Sequence, residues 1–183
     1  MKYRLLSFCM AVLLLISMIS VPRIEAANST ETFKDSADTK IVKLLEALGL
    51  MEIDSETGFF WDEMPVKRSE LAKIICKMFN ISETKDASPH FTDVSDYDRA
   101  YIETAIRNGY MSGYDNEKFG PDDYVTNIQL IKTFVTALGG DAAAQSQGGY
   151  PGGYITIGNM LGLLKGKAVA NENISRRIDV ANI

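Results

Sequence analysis

Apolar residues recur along this chain at helical spacing, and turn-rich stretches separate the runs. Ile41, Leu44, Leu45 and Leu48 fall at i, i+3, i+4 and i+7, which predicts an amphipathic helix stopped by Gly49. Gly58-Phe59-Phe60-Trp61-Asp62-Glu63-Met64-Pro65 reads as turns, and Leu71, Ile74, Ile75 and Met78 predict a second helix. The same order then returns. Ile102, Ala105 and Ile106 form a short stripe closed by Gly109, turns run from Ser112 to Tyr124, and Ile131, Phe134, Val135 and Leu138 repeat the helical spacing. From Gly49 to Phe59 and from Gly109 to Phe119 the interval is ten residues, which supports duplication.

A third copy is visible but incomplete. Asp141 to Gly149, rich in Ala, Gln and Gly, reads as a linker. Tyr150-Pro151-Gly152-Gly153-Tyr154 opens a helix carrying Ile157, Met160, Leu161 and Leu164. Gly162-Leu163-Leu164-Lys165-Gly166 parallels Gly109-Tyr110-Met111-Ser112-Gly113, with Gly49-Leu50-Met51 as the first counterpart. The last helix is expected near Ser175, with eight residues to follow before Ile183. So short a helix is marginal unless it docks strongly, and the favoured expectation is a truncated piece of a longer protein.

The beginning of the chain follows another logic. Lys2 and Arg4 precede an apolar run from Leu5 to Ile19, and Ile24-Glu25-Ala26 offers a small-residue cleavage site. Residues 1–26 read as a secretory signal peptide, with an uncleaved anchor as the alternative. Residues 27–38 are polar and read as a flexible lead-in. Removing residues 1–26 takes Lys2, Arg4 and Arg23 from 19 basic residues and Glu25 from 24 acidic ones, so the net charge moves from −5 to −7. Cys9 goes with the leader and leaves Cys76 alone, so no internal disulfide is expected. A single His argues against His-based zinc sites and triads. The acidic balance argues against nucleic acid, and without a second long apolar run the membrane is met only through the transient leader.

The starts of the second helices carry the candidate chemistry. Thr126-Asn127-Ile128-Gln129 is a Thr-x-x-Gln capping box. Lys67-Arg68-Ser69-Glu70 keeps the third-position acid, and Ser175-Arg176-Arg177-Ile178-Asp179 offers Ser175 as cap. Arg in a first turn opposes the helix dipole by a few tenths of a kcal/mol. Its use would be an anion held by guanidinium and free helix N–H groups together. The alternative is a surface Arg paired with a neighbouring acid.

These residues resemble a known pattern. Phe91-Thr92-Asp93-Val94, Tyr101, Ala105-Ile106, Gly109-Tyr110-Met111-Ser112-Gly113-Tyr114, Phe119, Pro121 and Val125-Thr126 are similar, in order, to the S-layer homology motif. The first copy matches through Gly49, Phe60, Pro65 and Val66-Lys67-Arg68-Ser69-Glu70, and the third through its Gly turn and Ser/Arg junction. The resemblance implies an all-α, pseudo-threefold helical bundle of three helix–loop–helix motifs, at 39–85, 88–140 and 150–183, with 141–149 as linker. It implies non-covalent binding to secondary cell-wall polysaccharide, often pyruvylated, in grooves between motifs, and anchoring of a surface or S-layer protein at the bacterial cell surface. Arg68, with Glu70 beside it, would face the acidic sugar. In copy two Asn127 stands at the Arg position after Thr126, so that groove lacks a junction cation. In copy three, Ser175 as cap selects Arg176, whereas the Arg-x-acid spacing selects Arg177, and both stay open.

Other candidates each have a plainer reading. Trp61 could stack on a sugar or pack in its loop. Tyr101 occupies the aromatic position that lines the groove in the family, with packing as its alternative. Asp93 is expected to cap the following helix, with a ligand role as the alternative. Gly113 and Tyr114 match the turn bordering the groove, and Gly113 can serve simply for a positive φ. Asp93, Asp96 and Asp98 do not follow a calcium-loop spacing, so neither metal nor cofactor is expected. No carboxylate pair stands in a distinctive catalytic motif, so the chain is read as non-enzymatic. Two rival readings remain: the targeting part of a larger surface enzyme, and a protein–protein interaction unit that lost sugar binding.

Overall fold

The structure, a computed structural model, describes residues 39–82, 91–164 and 173–183. The expected leader (1–26), lead-in (27–38), His90 and Lys165-Gly166 lie outside the described residues. Within them the chain is all-helical, as the periodicity requires. The elements are α1 (Thr39–Ala47), α2 (Arg68–Met78), α3 (Asp96–Arg107), α4 (Asn127–Ala137), α5 (Asp141–Ser146), α6 (Gly152–Met160) and α7 (Arg177–Ala181). No described helix is long and apolar enough to cross a membrane.

One termination device recurs after α1, α3 and α6. Gly49, Gly109 and Gly162 take φ of 63°, 73° and 79°, a region that favours a residue without Cβ. Each donates its N–H three residues back, to Glu46, Ile106 and Asn159 at 2.8, 2.9 and 3.0 Å. The next residue, Leu50, Tyr110 or Leu163, donates five back at 2.9 Å each time. The apolar residues that follow turn inward, with Leu50, Met51, Leu163 and Leu164 buried.

The second helices also bury matching positions. Leu71, Ala72, Ile74, Ile75 and Cys76 of α2 correspond to Leu130, Ile131, Thr133, Phe134 and Val135 of α4, all buried. Met78 and Leu138, both expected on the apolar face, are exposed instead. α2 packs on α3, α4 on α6, and α5 on α6. The buried face of α1 is rotated from the expected one. Val42 and Leu45 are buried and Ile41 partly so, while Leu44 and Leu48 are exposed. The whole apolar spacing is helical, but only contact with the core decides which part of the stripe turns inward.

Residues 141–149 are not simply a linker, because α5 forms there. Ala144 is fully buried against α6, where a Cβ on Gly153 would lie 2.0 Å from the Ala144 carbonyl oxygen. Small residues on both sides permit that crossing. α6 buries Ile157 but leaves Met160 exposed, and Leu161 beyond its end is exposed as well.

Three segments, each just before a second helix, close on one another. Val66 N–H donates to Ser175 O (2.9 Å), Ser175 N–H to Val125 O (2.8 Å), and Val125 N–H to Val66 O (2.9 Å). A second cycle surrounds the first. Arg68 N–H donates to Asp123 O (2.9 Å), Asn127 N–H to Asn173 O (2.8 Å), and Arg177 N–H to Met64 O (2.9 Å). Isolated bridges Lys67–Tyr124, Thr126–Ile174 and Pro65–Arg176 mark the same junctions. These cycles equate Arg68, Asn127 and Arg177, and one place earlier Lys67, Thr126 and Arg176. The last helix therefore begins at Arg177 with Arg176 at its cap. Ser175 is not the cap. It is fully buried, and its hydroxyl donates to Asn127 Oδ1 at 2.8 Å.

Candidate functional site

Arg68 and Arg177 are held alike. Both are buried, at 8% and 9% exposure. Arg68 donates through Nε to Phe119 O (3.0 Å) and through Nη2 to Ser112 O (2.7 Å), with its guanidinium carbon 4.5 Å from the Phe119 ring centroid. Arg177 donates through Nε to Phe60 O (2.8 Å) and through Nη2 to Glu52 O (2.6 Å), 4.7 Å from the Phe60 ring. The planar fork meets two carbonyls while the ring faces the cation. The counterpart of Phe119 is thus Phe60, not Phe59. The first copy carries one extra loop residue, so the equal ten-residue intervals were a coincidence of register.

The two guanidinium groups differ in charge balance. Arg177 Nη1 bonds the Glu70 carboxylate at 2.7 Å. Arg68 has no carboxylate within ion-pair distance among the described residues. The acids nearest it are engaged elsewhere. Asp123 accepts from the Tyr114 hydroxyl at 2.9 Å, and Asp93 accepts from the amides of Phe119 (3.0 Å) and Gly120 (2.8 Å). Burial lowers the Arg68 proton affinity, partly offset by Tyr114, Asp123 and Asp93. Burial raises the Glu70 carboxyl, against the pull of Arg177.

Arg68 lines a pocket of ≈ 290 Å³ with Tyr110, Ser112, Gly113, Tyr114, Gln129, Lys132, Thr133 and Tyr150. The Tyr114 ring lies 4.8 Å from the guanidinium carbon. Lys132 Nζ, 5.9 Å from the Tyr150 ring, adds a second cation. Sequence reasoning missed Lys132 and Tyr150. The signal for Lys132 was its place as the one charged residue in α4. The Arg177 side is an open hollow lined by Glu52, Asp54, Glu56, Trp61 and Met64, where Glu52 is paired to Lys73 at 3.0 Å.

The remaining candidates separate by their contacts. Arg176 is half-exposed and ion-paired, to Asp179 (3.0 Å) and Glu63 (2.8 Å), and Asp179 followed by Glu63 raises its proton affinity further. Asn127 is buried against Ser175. Thr126 N–H donates to Gln129 Oε1 at 3.1 Å, which forms the Gln half of the capping box. Asp93 does not cap α3. Ser95 does, accepting from Asp98 N–H at 3.2 Å, while Asp93 braces the loop carrying Phe119. Gly113 does not have a positive φ. What it needs is space, because a Cβ there would lie 2.5 Å from the Phe91 ring. Tyr101 does not border the Arg68 pocket and lies beside Cys76 and Lys77 in another hollow. Trp61 is 41% exposed, sits 5.0 Å from the Phe59 ring, and has φ of 60°. Its counterpart is Gly120, at φ 73°. Left-handed backbone costs about 1–2 kcal/mol for a residue with a Cβ.

One expected element of the chemistry is absent. The amides at the starts of α2 and α7 are consumed by neighbouring carbonyls: Ser69 N–H donates to Pro121 O (3.0 Å), and Ile178 N–H to Asp62 O (3.1 Å), beside the Arg68 and Arg177 bonds above. An anion at Arg68 would therefore rest on side chains rather than on helix N–H groups.

Residues 90–130 match the S-layer homology domain family. The chain is 28% identical over 162 residues to a surface layer protein of Brevibacillus choshinensis, covering 85% of this chain and 14% of that protein. It is 25% identical over 157 residues to a middle cell wall protein of Brevibacillus brevis, covering 83% and 15% respectively. The chain thus spans a small part of the length of these curated relatives.

Proposed function

We propose that this chain, which carries an S-layer homology domain, attaches non-covalently to the secondary polysaccharide of a bacterial cell wall and anchors a surface protein there without catalysis. The Arg68 pocket would hold an acidic sugar, pyruvylated in the fullest form of the reading. The observation that carries this is a buried guanidinium without a carboxylate partner, in a pocket shared with Lys132 and three tyrosines. Arg suits a carboxylate through its donor fork, and tyrosine rings suit the apolar faces of a pyranose. The names of the two relatives agree with a wall location. The hydrogen-bond cycles at Val66, Val125 and Ser175 support three motifs, at 39–85, 88–140 and 150–183, in a pseudo-threefold bundle. Arg68, Gly113 and Tyr114 are the carried-over residues that this reading keeps at the sugar; Ser112, Gln129, Lys132 and Tyr150 join them.

The test is co-sedimentation with purified cell walls, before and after removal of the secondary polymer with hydrofluoric acid. Binding is expected to native walls and to be lost on stripped ones. Lys132→Ala, which removes only cation–ring contacts at 5.9 Å to Tyr150 and the buried Tyr154, is expected to weaken binding at least fivefold with little change in the melting curve. Equal binding to stripped walls would overturn the polysaccharide reading, and undiminished binding by Lys132→Ala would overturn the site.

A further inference from the structure

The cycles equate Glu70 with Gln129. Each is the third residue of its helix, and each accepts the N–H of the residue at its helix cap, Lys67 and Thr126 respectively. Each also stands beside the Arg of the preceding segment in the ring: Glu70 bonds Arg177 at 2.7 Å, and Gln129 lines the Arg68 pocket. The two grooves thus share a scaffold, and at this position beside the buried Arg they differ by one oxygen-for-nitrogen exchange. Their rims differ in charge balance: Lys132 lines the Arg68 pocket, whereas its counterpart Lys73 is already paired to Glu52 at 3.0 Å, with Asp54 and Glu56 beside them on the Arg177 side.

Building on the proposed wall-binding function, we infer that the residue at this position selects which groove accepts an anion: Gln129 leaves Arg68 open to a carboxylate ligand, and Glu70 occupies Arg177 as an internal carboxylate in the ligand's place. Of these two grooves, only the Arg68 groove binds acidic sugar. A carboxylate entering the Arg177 groove would have to displace Glu70 from a 2.7 Å ion pair and pass Asp54 and Glu56, whereas one entering the Arg68 groove displaces no ionised group. Both exchanges between Glu and Gln keep the shape and the bond to the cap N–H, so they change charge without removing the helix-start contact.

The test is an NMR titration of the protein with pyruvate as the carboxylate probe, reading the Arg Nε–H signals assigned with Arg68→Lys and Arg177→Lys. In the wild type, Arg68 is expected to shift with saturation and Arg177 to stay still. Gln129→Glu is expected to weaken the Arg68 response at least tenfold, and Glu70→Gln to make Arg177 respond. Melting curves of both variants confirm that the fold is kept. An Arg177 response in the wild type, an unchanged Arg68 response in Gln129→Glu, or a silent Arg177 in Glu70→Gln would each overturn the inference. Wall co-sedimentation is scored separately. Failure to bind walls with the pyruvate pattern intact removes the wall function alone, and wall binding with both Arg signals shifting equally removes the selector alone.

Discussion

Arg177→Ala is the sharpest test of how the junction holds together. The variant loses two charge-assisted bonds to carbonyls, at 2.8 and 2.6 Å, and the face of Phe60 at 4.7 Å. Such bonds contribute about 1.5 kcal/mol each at the lower end of their range. It also leaves Glu70, bonded at 2.7 Å, without its counter-charge. Glu70 is only part-buried, so breaking this pair from one side is expected to cost about 3 kcal/mol, the lower end for buried pairs. Arg68→Ala loses the same kind of carbonyl bonds and aromatic face but strands no acid, so about 2–3 kcal/mol is expected. Urea unfolding followed by the fluorescence of Trp61, the sole tryptophan, reads the difference. With an m-value of about 1.5 kcal/mol per M, Arg177→Ala should lower the midpoint by about 2 M or more. Adding Glu70→Gln to Arg177→Ala should recover part of that loss. The reasoning fails if Arg177→Ala costs no more than Arg68→Ala, or if the Glu70→Gln background leaves the cost unchanged.

Three further outcomes follow from the same contacts. The Glu70 carboxyl is raised by burial from its ordinary 4.5, so its stabilising contribution is fully present below 4.5 and is lost as pH rises through the folded value. Wild type should therefore gain stability relative to Glu70→Gln on going from neutral pH towards 4.5, and urea midpoints that change in parallel would refute this. The Asp93 carboxyl is pushed up by burial but held below its ordinary 3.8 by the amides of Phe119 and Gly120. Its contribution is thus present above 3.8 and lost as pH falls through the folded value, and Asp93→Asn should flatten the acid limb while costing about 1–2 kcal/mol at neutral pH. Gly153→Ala, whose new Cβ would lie 2.0 Å from the Ala144 carbonyl oxygen, should cost about 1–3 kcal/mol, and an unchanged thermal midpoint would refute that close approach.

The sequence by itself determined the described helices other than α5, the Gly stops and their repetition, because apolar period and positive φ are local properties of the chain; α5 at Asp141–Ser146, expected as linker, is held by its packing on α6. It pointed to Arg68 because an Arg in a helix first turn departs from a local preference. It did not separate Arg176 from Arg177, since a cap at Ser175 and the Arg-x-acid spacing are both sound locally. The backbone cycle settled that register by placing Arg177 N–H on Met64 O and the Ser175 side chain inside. The same cycle took up the helix amides that seemed free in a helix considered alone. Lys132, Gln129 and Tyr150 reach the Arg68 pocket from positions far along the chain, where no local pattern could join them. Whether a guanidinium is open or already neutralised depends on which neighbouring segment supplies the third helix residue facing it. That is set by the closure of three segments on one another, a long-range constraint that only the tertiary structure imposes.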